Sequence, residues 1–108
     1  MATVRLNTNL INDWASFHLV CKEAFGFPDF YGANMNAWID CLTYLTEDDG
    51  MSRFVLSEDE MLFIEITDSK NFKARLPEIF EALIDCSIFV NKRYLEAKES
   101  EKLSLVFL

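Results

Sequence analysis

The sequence predicts a small α/β domain in which a three-stranded parallel sheet is packed with about four helices. Three observations carry that expectation. Met61-Leu62-Phe63-Ile64-Glu65-Ile66 is nearly continuous in apolar residues, as the central strand of a parallel sheet is. Stretches with helical spacing separate it from strand-like runs near either end of the chain, giving the order β, α, α, β, α, α, β that a parallel sheet with helical crossovers requires. The length of 108 residues fits one domain spanning residues 1–108, and a hydrophobic fraction of 51% with only 3 Gly and 2 Pro describes a packed globule rather than a disordered chain.

Thr3 to Leu10 alternates Val4 and Leu6 with polar neighbours and reads as a short first strand. Asn12 or Asp13 can cap a helix in which Trp14, Phe17, His18, Cys21, Ala24 and Phe25 recur at i, i+3, i+4 and i+7, and Gly26 stops it. Phe27 to Asn34 is a turn by virtue of Pro28 and Gly32, yet it carries three aromatics. From Met35 to about Leu45 a second helix sets Met35, Trp38, Leu42 and Leu45 on one face, which should meet the core. Thr46 to Glu60 holds most of its charge as acids around Phe54-Val55-Leu56 and reads as an exposed acidic excursion with room for a short strand.

After the central strand, helical pattern resumes from about Phe72 to Ile84, with Pro77 placed to restart it as a first-turn residue. A further helix is expected from about Ser87 to Glu99, with Leu83, Cys86, Val90 and Ala97 forming the inward stripe with the turn before it. Leu103 to Leu108 is a terminal strand whose apolar character argues against an exposed edge. No internal repeat is visible.

Eighteen acids against ten bases give a formal charge of -8, which repels phosphate backbones and anionic lipid and favours encounter with a basic partner. Direct nucleic-acid and membrane binding are therefore not expected. Cys21, Cys41 and Cys86 are odd in number, far apart and set in apolar runs, so they suggest buried free thiols rather than disulfides or a zinc site. Asn7, Asn9, Asn12 and Asp13 interrupt the apolar stretch that a signal peptide would need, and no ~20-residue apolar span follows, which makes the cytoplasm the expected address.

On the second helix Asn36, Asp40 and Thr43 stand at i, i+4 and i+7 and form a polar stripe opposite the core face, flanked by Ile39 and Tyr44. A carboxylate ringed by apolar side chains beside Phe30 and Tyr31 suits anchoring a cationic partner, because exclusion of water strengthens a charge pair. A solvated helix face has the same periodicity, so spacing alone leaves both readings open.

The segment Phe27-Pro28-Asp29-Phe30-Tyr31-Gly32-Ala33-Asn34-Met35-Asn36-Ala37-Trp38-Ile39-Asp40-Cys41-Leu42-Thr43 resembles the inhibitory loop and second helix of the barstar family, with the Tyr-Gly-x-Asn and Asp-Cys-Leu-Thr pieces in register. Flanking similarity extends to the first strand and helix, to Met61–Ile66 and to Glu96-Ala97-Lys98. The resemblance implies a barstar-like fold over nearly the whole chain. It also implies a stoichiometric, cofactor-free inhibitor whose helix and loop enter the active site of a small basic ribonuclease, where carboxylates take the place of RNA phosphates. Under it, Asp40 is the central carboxylate, Phe30, Asn34, Met35 and Tyr44 supply surrounding contacts, and Glu96 is a further acidic contact in a 1:1 complex with a ribonuclease or nuclease toxin. The chain departs from the family at Asn36, where a second carboxylate is usual, at Ile39 in place of a tryptophan, at Trp38 in place of a leucine, and in the longer excursion at 46–60. Those departures leave room for a barstar-fold interaction module whose partner is not a nuclease.

Other chemistry finds less support. His18 lies on the apolar stripe of the first helix and reads as a packed, hydrogen-bonded core histidine, and Cys41 lacks a nearby cation to activate it. Asp48-Asp49-Gly50 and Glu58-Asp59-Glu60 do not reproduce a calcium loop and read as solvated charge. No metal or catalytic set is expected, so the chain is not expected to be an enzyme.

Overall fold

The structure is a computed structural model that describes residues 2–108. Its elements are β1 (Ala2–Leu6), α1 (Trp14–Phe25), α2 (Met35–Leu42), β2 (Leu62–Ile66), α3 (Ser69–Arg75), α4 (Pro77–Glu96) and β3 (Leu103–Phe107). The strands form one parallel sheet in the order β1-β2-β3, with Val4 beside Ile64 and Ile64 beside Leu105. The apolar run at the centre of the sequence is thus the central strand.

This register separates the two faces of the sheet. Val4, Leu6, Leu62, Ile64, Ile66 and Leu103 share one face and are buried. On the other face Thr3 and Arg5 are exposed, and Phe63, Glu65, Ser104 and Val106 are only partly covered. Both crossovers step to the next strand in the same direction, so right-handed connections place the helices on a single face. The open face carries an ion pair in which Arg5 Nε donates to Glu65 Oε1 at 3.0 Å.

Local chemistry explains the boundaries. The first strand ends at Leu6 and not at Leu10, because the Asn7 side chain accepts from Asn9 N and turns Thr8–Leu10 into a short 3₁₀ helix. Arg75 fixes that turn by donating to Ile11 O and Thr8 O at 3.1 and 3.0 Å. In α1, Asp13 and Ser16 form a reciprocal capping box, and Gly26 closes the helix at φ +69°. A side chain at Gly26 would also strike Arg53, since a Cβ there would lie 2.8 Å from the Arg53 Cβ.

The helical division in the second half differs from expectation. The break falls at Leu76, with Pro77 in the first turn of α4, and α4 then runs unbroken to Glu96. No Gly or Pro interrupts residues 82–87, and the Ser87 hydroxyl donates to Leu83 O at 2.7 Å within the helix. The inward stripe is accordingly Ile79, Leu83, Val90 and Tyr94, while Ala97 lies exposed beyond the last turn.

The excursion at 46–60 holds no strand, but it is pinned to the core. Arg53 N donates to Phe25 O and Arg53 Nε to Ala24 O, both at 2.9 Å, so this segment satisfies carbonyls at the end of α1. Leu56 is buried and its N–H donates to Leu45 O at 2.6 Å. Lys102, wholly buried, closes the far end by donating from Nζ to Glu58 O and to Ser100 Oγ. The final strand is an edge after all. Asn91 protects its first residue by donating from Nδ2 to Leu103 O at 2.9 Å and accepting at Oδ1 from Leu103 N at 2.8 Å.

Tyr94 ties α4 to the chain leaving α2. Its buried hydroxyl donates to Leu42 O at 2.8 Å and accepts from Leu45 N at 2.9 Å. Tyr94→Phe would leave a buried carbonyl and a buried N–H without their partner, so it should cost about 1–3 kcal/mol. Urea unfolding should show a lower midpoint with an unchanged slope; an unaltered midpoint would deny the hydroxyl this role.

Candidate functional site

The exposed side of α2 begins from a loop that the core holds firmly. Burial pushes the Tyr31 hydroxyl pKa well up, so it remains a neutral phenol, and Tyr31 Oη lies 2.6 Å from His18 Nδ1. The Tyr31 ring packs on Phe27 at 4.6 Å between centroids, and Phe27 stacks on Phe25 at 5.1 Å. His18 is therefore the packed, hydrogen-bonded residue that its place on the apolar stripe implied. With Tyr31 turned inward, its neighbour Phe30 is left 77% exposed.

Asn34 sets the direction of α2. Its side chain accepts from Ala37 N at 2.8 Å and donates to Gly32 O at 3.3 Å, an N-cap that fixes the helix start. Trp38, Cys41 and Leu42 then point into the core, with the Trp38 ring edge-on to Phe25 at 6.1 Å. The tryptophan at this position is thus core material. Asn36 and Asp40 project outward, Met35 and Ile39 are half-buried at the margin, and Tyr44 is exposed just past the helix. Thr43 Oγ1 donates to Ile39 O at 2.7 Å at the C-terminal end. A hollow lined by Trp14, His18, Ala33, Asn34 and Met35 adjoins the N-terminal end of α2.

Asp40 has a partner that sequence reasoning missed. Arg93 of α4 brings Nη1 to 3.4 Å from Asp40 Oδ1 and 3.4 Å from Thr43 Oγ1, while its guanidinium lies 4.9 Å from the Phe89 ring centroid. The Phe89 and Arg93 pair at i, i+4 was visible as a spacing, but its position beside α2 depends on α4 being one helix packed on α2. The side chains of Asp40 and Arg93 are 62% and 42% exposed, and such a pair contributes only about 0–1 kcal/mol. Asp40 is therefore oriented without being locked. Glu96 is exposed at the end of α4, three residues beyond Arg93.

The structure gathers Phe30, Asn34, Met35, Asn36, Ile39, Asp40, Thr43 and Tyr44 on or beside α2, and brings α4 with Arg93 against them. Cys41 stays below that surface. Burial, and then the charges of Asp40 and Asp49, push its thiol up to about 11, so it is the protonated, poorly nucleophilic form at neutral pH. Among the described residues no cluster of three metal-ligating side chains forms, and no helix is long and apolar enough to cross a membrane.

These features define a small α/β protein whose chemistry-bearing side chains stand on an exposed helix face beside an aromatic loop. The family model described as Barstar (barnase inhibitor) matches residues 1–107, and the chain belongs to the barstar family. The three-stranded parallel sheet and its four helices agree with that membership. No curated protein matches the chain.

His18 gives the site a pH dependence. It is the chain's single histidine, and burial lowers its pKa, so the folded state holds it neutral where the unfolded chain, titrating near 6.5, begins to bind a proton. Its contribution is complete above about pH 6.5 and is lost as pH falls toward the depressed value, with a slope of at most about 1.4 kcal/mol per pH unit. Urea midpoints at pH 7 and 5.5 should differ in the wild type and converge in His18→Gln; equal pH dependence in both would assign the effect elsewhere.

Proposed function

We propose that this chain is a stoichiometric protein inhibitor of a basic ribonuclease, an immunity factor that covers the enzyme's active site with α2 and the Phe30 loop. The observation that carries the reading is an exposed Asp40 on α2 in a chain whose barstar-family match spans residues 1–107. Asp40 would take the place of an RNA phosphate and engage a cation of the enzyme. Asn36 and Thr43 offer hydrogen bonds on either side, and Phe30, Met35, Ile39 and Tyr44 offer apolar area that excludes water. Asn34 contributes mainly through its cap, which holds the loop and helix in one geometry. Glu96 would add a second acidic contact from α4.

Electrostatics support this division of labour. The net charge of -8 accelerates encounter with a basic protein, and the weak Asp40–Arg93 pair leaves the carboxylate able to accept from an incoming cation. Once a partner excludes water, attraction between opposite charges rises severalfold over its value at an exposed surface. A barstar-fold module with a partner other than a nuclease is the second reading. Arg93 favours it, because a cation beside Asp40, together with Asn36 in place of an acid, makes the face less acidic than phosphate mimicry alone would call for.

The decisive experiment is a pull-down from the native cell with the chain as bait, followed by titration of the recovered activity. A basic ribonuclease whose activity falls to zero at 1:1 equivalence supports inhibition; recovery of non-nuclease partners alone favours the second reading. Asp40→Ala should leave the unfolding midpoint almost unchanged and weaken binding by about 3–5 kcal/mol, since it strips a covered cation of its counter-charge. Association should slow at high salt, because steering is screened within about 10 Å at 0.1 M. Arg93→Gln should raise the association rate with a basic ribonuclease by removing a positive charge from the approaching face; stopped-flow kinetics showing a slower rate would instead make Arg93 a contact for the partner.

A further inference from the structure

The outer edge of β3 is open over a stretch that is complementary to itself. Leu62 N donates to Lys102 O and Leu108 N donates to Ile66 O, so alternate residues from Lys102 to Leu108 turn their backbone groups toward β2. The N–H and C=O of Leu103, Leu105 and Phe107 consequently point away from the sheet. Asn91 satisfies both groups of Leu103. Among the described residues no hydrogen bond reaches the outward groups of Leu105 or Phe107.

An apolar ledge lies beside this edge. Helix α4 runs antiparallel to β3, with Asn91 at Leu103 and the Phe80 ring 5.6 Å from Phe107. At about 100° per residue, Phe80, Ile84, Ile88, Asn91 and Leu95 fall on the side of α4 that follows the open edge. Ile88 is 61% exposed, Leu95 53% and Phe107 48%, a row of uncovered apolar side chains with one polar member.

We propose that this edge pairs with a second copy of the chain, β3 antiparallel to β3 about a twofold axis through Val106. Leu105 of each copy then faces Phe107 of the other as a hydrogen-bonded pair, giving four backbone bonds and one continuous six-stranded sheet. The axis is normal to the sheet, so both α4 helices stay on the same face and their apolar rows meet side by side.

Two observations select a second copy over a foreign strand. The open register is two residues, spaced symmetrically about Val106, so a twofold pair centred there satisfies every open group, and the residue that Asn91 caps falls outside it. Residues 103–108 also carry no charged side chain, so the side chains of the strand add no like charge where two molecules of net charge -8 would meet. Arg93, which orients Asp40, lies about 200° around α4 from Asn91, so the dimer leaves the α2 face uncovered. The proposal stands independently of what α2 binds.

Sedimentation equilibrium on the full chain tests it. The average mass should rise with concentration from the monomer value toward twice it, and more steeply at high salt, where repulsion between the acidic copies is screened. Ile88→Lys changes an exposed side chain and should hold the chain at monomer mass with its circular dichroism unchanged. Phe107→Pro removes an outward N–H that β2 does not use and should do the same. Monomer mass at millimolar protein and high salt would overturn the proposal, as would a dimer that both variants leave intact. A chain that stays monomeric yet binds the peptide of residues 103–108 would give the edge to a foreign strand instead.

Discussion

The rest of the structure depends on one constraint of direction: three parallel strands in sequence order, each linked to the next by a right-handed crossover. Such a sheet can be covered on only one face, and every helix must find room there. Crowding four helices onto three strands pushes α2 outward, so its core side is set by Trp38, Cys41 and Leu42 and its other side faces solvent. The Tyr94 hydroxyl, bonded at both ends of the turn that leaves α2, keeps this peripheral helix in a fixed place against α4. Aromatic packing from Phe25 through Phe27 to Tyr31 does the same for the loop before it.

The exposed face of α2 is therefore held firmly in its backbone and loosely in its charges. Asn34 determines where α2 starts, and His18 determines where Tyr31 sits, yet Asp40 and Arg93 meet only at 3.4 Å in open solvent. A stiff scaffold limits the ordering cost of binding, since few side chains remain to be immobilised. The loose pair leaves the Asp40 carboxylate open to a further cation.

Much of the fold could be read from residue order. Alternation and apolar continuity located β2, the capping residues located α1, and Asn36, Asp40 and Thr43 were recognisable as one outward stripe because helical periodicity is local information. What escaped was tertiary. A new helix was expected from about Ser87, but α3 and α4 divide at Leu76 and α4 continues through Ser87, whose bond to Leu83 O lies within that one helix. The strand beginning at Leu103 looked too apolar for an edge because its protection comes from Asn91, twelve residues earlier and on another element. Arg93 was hidden for the same reason: no local pattern says which helix an exposed arginine will lie beside.

The segment between α2 and β2 is fastened near Leu56 and Arg53 and again through the buried ammonium of Lys102, while residues 47–50 remain exposed between these points. Its anchors are structural and its tip is not. Lengthening a flexible loop twofold costs only about 0.6 kcal/mol in closure entropy, so the tip can gain or lose residues with little effect on the core. Glu47, Asp48 and Asp49 are thus a region where the chain's long-range field can be rewritten by substitution or insertion while the geometry of the α2 face stays the same.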